Sequence, residues 1–187
     1  VSGGGAGHDE RIRPVRDGDW PGIAAMEAAA YAGSSLTEGR AALESKGRAS
    51  PDTCFVLDIE GRVAGYLLSL PYPMFQYPAL ARYDEAVHDS RNLHLHDMVV
   101  AQEQRGRGWG GGLLARLTAA ARPRFQHISL VAVDGMAAFW AAHGYRAHPG
   151  VRLPESYGDN AVYMSIAVPG SGTSHSKEVA RFPCPVS

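Results

Sequence analysis

Two histidines, His94 and His96, stand two residues apart just before the apolar pair Val99-Val100. A run with four glycines in seven residues follows, Arg105-Gly106-Arg107-Gly108-Trp109-Gly110-Gly111. Imidazoles in such a position can serve as general bases near neutral pH. The glycines let backbone amides approach a ligand, and the Leu-rich period of Leu113, Leu114 and Leu117 opens a helix straight after them. The first N–H groups of a helix have no acceptor within it, so strand, turn and helix start together form a cradle for an anion, most naturally a phosphate. A metal role lacks support: a third ligand at a suitable spacing is missing, and Cys54 and Cys184 make neither a metal framework nor a disulfide framework.

The histidines must be carried by a strand over residues 93–100, whose alternation puts His94 and His96 on one face and Leu95 and Asp97 on the other. The glycine turn must be held by a helix over 108–121 that Pro123 stops. Upstream, 11–15 reads as a short strand. Asp17 or Asp19 can cap a helix over 21–31 with Ile23, Met26 and Ala30 on one face, and Thr37 begins a second helix running to Lys46, closed by Gly47. Residues 53–59 and 62–70 flank Glu60-Gly61 as a β-hairpin. The stretch 71–91 is long for a connection and rich in aromatics, which marks it as functional or mobile. Strands over 127–133, 145–148 and 161–168 and a short helix over 136–142 complete the order β-α-α-β-β-β-α-β-α-β-β, a mixed α/β (α+β) domain.

The 187 residues are 45% hydrophobic and 20% charged, with a formal net charge of −1. This suits one folded domain over 11–168, between a disordered segment at 1–10 and a disordered tail at 169–187. The balanced charge gives no pull toward nucleic acid or an anionic membrane. No apolar run approaches the roughly 20 residues that span a bilayer. VSGGGAGHDE has no apolar core of the secretory kind, so the expected location is the cytoplasm, as a monomer or homodimer. Cys54, in a strand-like run, reads as a buried small hydrophobe.

Gly106-x-Gly108-x-x-Gly111 matches the dinucleotide fingerprint in letters only. That fingerprint follows its strand at once and opens a βαβ repeat, whereas residues 101–105 intervene here and one short crossover follows. A P-loop is excluded, since Gly-Lys-Ser/Thr does not occur. The pattern instead resembles motif A of the GCN5-related N-acetyltransferase (GNAT) superfamily. In that motif a strand ends in an apolar pair, and after a short link Arg/Gln-x-x-Gly-x-Gly/Ala opens a helix, as in Arg105-x-x-Gly108-x-Gly110. A second landmark, Phe139-Trp140-Ala141-Ala142-His143-Gly144-Tyr145, is similar to the family's Leu-Tyr-x-x-x-Gly-Phe segment. The string His94-Leu95-His96 before Met98 is similar to the arylalkylamine N-acetyltransferases, in which a histidine pair helps carry a proton from the amine.

The resemblance implies a mostly antiparallel sheet flanked by helices and splayed at an acyl-CoA site. It implies that the amides of Arg105, Gly106, Arg107, Gly108, Trp109 and Gly110 hold the pyrophosphate, with added charge from the two arginines. The backbone of Met98, Val99 and Val100 would pair with pantetheine, the Met98 N–H would stabilise the oxyanion, and His94 or His96 would deprotonate the amine. The implied activity is transfer of an acyl group, acetyl first, from acetyl-CoA or another acyl-CoA to a primary amine of a small molecule. A carrier-protein phosphopantetheine donor and a regulatory acyl-CoA-binding domain are the alternatives. Trp140 departs from the family, since many relatives have a Tyr there that protonates the leaving thiolate, which an indole cannot do. Water, Tyr145 or Tyr163 can take over, or Trp140 shapes the thioester pocket. Tyr31, Tyr72, Phe75 and Tyr77 are the candidates for the acceptor wall. Loop carboxylates Asp84, Glu85 and Asp89 can attract a cationic amine, and Tyr157 can overhang the site.

Overall fold

The computed structural model describes residues 11–80 and 88–170. The expected disordered termini lie outside them, apart from residues 169–170, and so do Asp84 and Glu85. The elements, in chain order, are β1 (Ile12–Pro14), α1 (Trp20–Ala30), α2 (Arg40–Ala49), β2 (Phe55–Ile59), β3 (Arg62–Pro71) and β4 (Asn92–Val100), then α3 (Trp109–Ala121), β5 (His127–Ala132), α4 (Ala137–Ala142), β6 (Arg146–Ala147) and β7 (Val162–Ala167). The strands form one sheet in the order β1-β2-β3-β4-β5-β7-β6. Only β4 and β5 run parallel among the paired strands described. The expected element order and the mixed, mostly antiparallel sheet are both observed.

Each face of the sheet has its own core. Leu113, Leu114 and Leu117 of α3 pack on Phe55, Leu57, Leu93 and Leu95. Trp20 and Ile23 of α1 and Leu43 of α2 pack on Val56, Tyr66, Leu68 and Val99 of the opposite face. At the hairpin, Glu60 and Gly61 both have positive φ (54° and 77°), as a two-residue turn matched to strand twist requires. Cys54 is buried, and burial pushes its thiol up to about 12.

Three local expectations are corrected. The second helix begins at Arg40, because Gly39 sits at φ 83°, ψ 158°, which no helix can continue, and the Thr37 hydroxyl turns back to the Tyr31 carbonyl at 3.0 Å. Gly47 does not close that helix. It lies inside it against the Trp20 ring, where a Cβ would stand 2.4 Å from a ring carbon. Asp19 caps no α-helix. Its carboxylate takes the Arg16 N–H at 2.7 Å and the Arg13 guanidinium at 2.7 Å, closing a 3-10 turn ahead of α1.

The strand that carries the histidines is not regular. Asp97 lies opposite Leu68 and Leu95 opposite Ser69, which leaves His96 as an extra residue, a β-bulge. The bulge reverses the alternation. Leu93 and Leu95 point to the α3 face, but beyond it Met98 and Val100 pack there while Val99 joins the α1–α2 face. Asp97, expected opposite the histidines, therefore lies on their side of the sheet, bonded to Tyr31 and Tyr66.

Candidate active site

β4 and β5 pair only through Asn92–His94 against His127–Ser129 and then part. The opening is a cleft of about 680 Å³ whose walls include Leu95 to Val100 on one side and Leu130, Val131 and Val133 on the other. Ala101 N–H bonds the Ala64 carbonyl at 3.0 Å, which sets the phase of the β3–β4 ladder. Val99 and Asp97 then face β3, and the peptide groups of Met98 and Val100 turn across the splay.

The glycine turn closes one end. Gly106 and Gly108 have φ of 74° and 82°, values a side chain would oppose, and Gly108 immediately precedes α3. The first bond of the helix runs from Gly112 N–H to the Gly108 carbonyl at 3.0 Å. The Gly110 and Gly111 amides thus have no acceptor within α3, and both residues line the cleft. Arg105 lines it too, with Nε donating to the Val100 carbonyl at 3.0 Å, so it ties the turn to the end of β4. Arg107 is exposed and lies outside the lining. Trp109, Phe139, Trp140 and His143 complete this end.

The other end gathers Tyr31, Leu36, Glu38, Leu80, His96, Asp97 and Tyr157. Glu38 Oε1 meets His96 Nε2 at 2.5 Å, and Glu38 Oε2 meets Lys46 Nζ at 2.5 Å. Burial alone would raise the Glu38 carboxyl, but the His96 and Lys46 charges outweigh it and hold it down to about 2. Asp97 takes the Tyr31 hydroxyl on Oδ1 at 2.7 Å and the Tyr66 hydroxyl on Oδ2. Burial pushes the Asp97 carboxyl up despite those two bonds.

A family model described as the acetyltransferase (GNAT) family matches residues 20–145. The chain belongs to the GNAT family. Solved structures agree on the fold. A GNAT-like decarboxylase, GphF, in complex with isobutyryl-CoA is 24% identical, with TM-score 0.67 over 84% of this chain and 99% of that one. The loading GNATL domain of CurA from Lyngbya majuscula is 13% identical, with TM-score 0.71 over 84% and 96%. A ribosomal-protein-alanine N-acetyltransferase from Brucella melitensis is 22% identical, with TM-score 0.60 over 83% and 98%. No curated protein sequence matches at a significant level.

Within this GNAT fold the two histidines have different surroundings. His96 lines the cleft. His94 lies outside it, fully buried, with Nδ1 3.0 Å from Ser129 Oγ and its ring stacked on Tyr163 at 6.3 Å. Burial, then the charge of His96, pushes His94 down to about 3, so it is neutral at any ordinary pH. Of the four aromatics expected on the acceptor wall, Tyr31 alone lines the cleft. Tyr72 packs on His88, while Phe75 and Tyr77 line a separate shallow depression of about 500 Å³. Tyr157 does reach the cleft, with its hydroxyl donating to the Pro78 carbonyl at 2.7 Å.

Trp140 is buried edge-on to Tyr145, with ring centroids 5.4 Å apart. Tyr145 and Tyr163, the phenols considered as replacements for the family's acid, do not line the cleft; the hydroxyls that do, among the described residues, belong to Tyr31 and Tyr157. Sequence reasoning missed Glu38, Lys46 and Tyr66. Glu38 precedes a helix and reads as an ordinary solvated acid, and nothing in its neighbourhood signals a partner 58 residues away.

Proposed function

We propose that this GNAT protein is an acyl-CoA-dependent N-acyltransferase that moves an acyl group, acetyl in the first instance, directly to a primary amine of a small molecule. The observation that carries this reading is the continuity of the cleft. It runs from the Gly106–Gly111 amides, past the outward peptide groups of Met98 and Val100, to His96. The donors along that path fit a diphosphate followed by a pantetheine chain, without any cation cluster.

Bound acyl-CoA supplies the thioester carbonyl and the leaving thiolate. The Met98 N–H, free of β3, is the donor for the developing oxyanion. His96 takes the ammonium proton and releases the amine lone pair for attack. Tyr31 is committed to Asp97, and Trp140 has no acidic proton, so water protonates the thiolate, whose ordinary pKa of about 8.5 permits departure near neutrality. Among the described lining residues there is no Ser, Thr or Cys to hold the acyl group, which favours direct transfer over a covalent relay. The glycine turn favours CoA over a carrier protein's phosphopantetheine arm, because its amides suit a diphosphate and the arm carries a single phosphate.

Thermal-shift titration with CoA, acetyl-CoA and 4′-phosphopantetheine, followed by thiol-release assays across primary amines, tests the reading. CoA and acetyl-CoA should stabilise the protein and phosphopantetheine should do so less, with turnover depending on His96. No stabilisation by CoA, or turnover untouched by His96→Ala, would refute it.

A further inference from the structure

Lys46, Glu38 and His96 come from α2, from the segment before α2 and from the bulge of β4, and they meet away from solvent. Their side chains are 0%, 4% and 2% exposed. Taking ions out of water costs several kcal/mol each, and well-packed apolar groups commonly hold such a junction at least as well. The Glu38 peptide is itself anchored, its N–H donating to Glu27 Oε1 at 2.6 Å. This chain of charges abuts the cleft at the residue assigned above as the base.

We propose that Glu38 and Lys46 are positioning residues for His96: Glu38 accepts the Nε2–H, leaving the Nδ1 lone pair to take the substrate proton, and Lys46 offsets the Glu38 charge. The proposal rests on His96 being the base of the reaction proposed above. In the step, an N–H bond of the ammonium breaks, its electron pair stays on the amine, and an Nδ1–H bond forms. The resulting imidazolium faces the Glu38 carboxylate. This is the arrangement in which a buried acid fixes the tautomer of a catalytic histidine and stabilises its charged form.

The other groups around His96 constrain the outcome. From β4 come Asp97 and neutral His94, from α1 Glu27, and from the residue just past its end Tyr31. Tyr66 of β3 is bonded to Asp97, and Tyr157 lies on the Glu38 side. Burial raises both the Glu27 and Asp97 carboxyls. Removing the Glu38 charge therefore makes His96 harder to protonate, and removing the Lys46 charge makes it easier. Opposite signs from two adjoining residues are the mark of an electrostatic relay. A purely structural junction loosens the same way from either side.

The experiment follows the His96 imidazole by NMR in the full chain with labelled histidine, assigned by its loss in His96→Gln. Glu38→Gln should lower its acid-titration midpoint and Lys46→Met should raise it, each by about threefold in the acid constant. Glu38→Asp should keep most of the wild-type midpoint. The acidic limb of the turnover pH profile should move with each midpoint. CoA-induced thermal stabilisation shows that each variant is folded, and if Glu38→Gln fails to fold, Lys46→Met alone decides. Midpoints that move the same way, or not at all in folded Lys46→Met, overturn the relay. Midpoints that move as expected without turnover of any amine support the relay and sink the acyl-transfer reading. Turnover whose pH limb ignores both variants sinks the relay and leaves that reading standing.

Discussion

The Tyr31 hydroxyl, one residue past the end of α1, donates to Asp97 Oδ1 at 2.7 Å, bridging 66 residues of sequence to the position just after the β4 bulge. The contact exists because the extra residue, His96, reverses the strand's alternation and brings Asp97 to the α1 side. It joins the end of the cleft lined by Tyr31 and His96 to the strand that carries the outward peptide groups. Burial, then the Asp97 charge, keeps the Tyr31 phenol well above its usual range, so it remains a donor throughout.

Tyr31→Phe removes that donor and leaves Asp97 with Tyr66. A lost hydrogen bond to a buried acceptor costs about 1–3 kcal/mol. Urea unfolding should show a loss of that size with an unchanged m-value. CoA-induced thermal stabilisation should persist, because the glycine turn lies at the other end of the cleft. A variant as stable as the wild type would mean that the Tyr31–Asp97 bond contributes little.

At the glycine turn the backbone itself is the constraint. Gly108 sits at φ 82°, ψ 1°, immediately before α3, where a Cβ costs roughly 1–2 kcal/mol. Gly108→Ala should therefore lower stability by about that amount, and calorimetry should show CoA binding weakened at least tenfold as the first helical amides shift. Gly110→Ala is the contrasting case. A Cβ there meets Phe139 at an ordinary 3.7 Å, and alanine gains about 1 kcal/mol of helix propensity, so the fold should be as stable or more so. Equal CoA affinity in Gly108→Ala and the wild type would remove the turn from the site.

Much of this was readable from local residues. Glu60-Gly61 announces its hairpin, and Leu113, Leu114 and Leu117 announce the buried face of α3, because both depend on neighbours in sequence. Gly106 and Gly108 are legible for the same reason: a turn that needs positive φ selects glycine wherever it occurs. The bulge at His96 was not legible. An inserted residue has no composition of its own, and it exists only relative to the register of β3. Glu38 was hidden likewise, since its significance comes from Lys46 and His96. The aromatics at 72–77 stand out in the sequence as a group, but their directions depend on a long connection. That connection turns Phe75 outward, 52% exposed at φ 65°, rather than into the cleft.

Gly47→Ala tests how tightly α2 is seated. An added Cβ would stand 2.4 Å from Trp20 Cη2, so the indole or the helix must shift. Overpacking of this kind typically costs 1–3 kcal/mol, about what chemical denaturation should report. A relieving second change, Trp20→Phe in the Gly47→Ala background, should recover part of that loss, and a double-mutant cycle should show coupling between the two sites. Strict additivity would argue against the contact.

His94 gives the stability a pH dependence of known sign. Its pKa is about 3 in the folded chain, against about 6.5 in an ordinary imidazole, because burial and then the His96 charge oppose protonation. Between those values the unfolded chain binds a proton that the folded chain does not. Stability is therefore complete above about pH 6.5 and falls as the pH drops toward 3. At pH 5 the loss from this one residue amounts to about 2 kcal/mol. His94→Gln keeps a polar group near Ser129 without the titration, so its stability should change less between pH 7.5 and 5, even where its absolute stability at pH 7.5 is lower. Urea unfolding of both proteins at the two pH values gives the comparison, and equal pH slopes would show that His94 binds a proton as readily folded as unfolded.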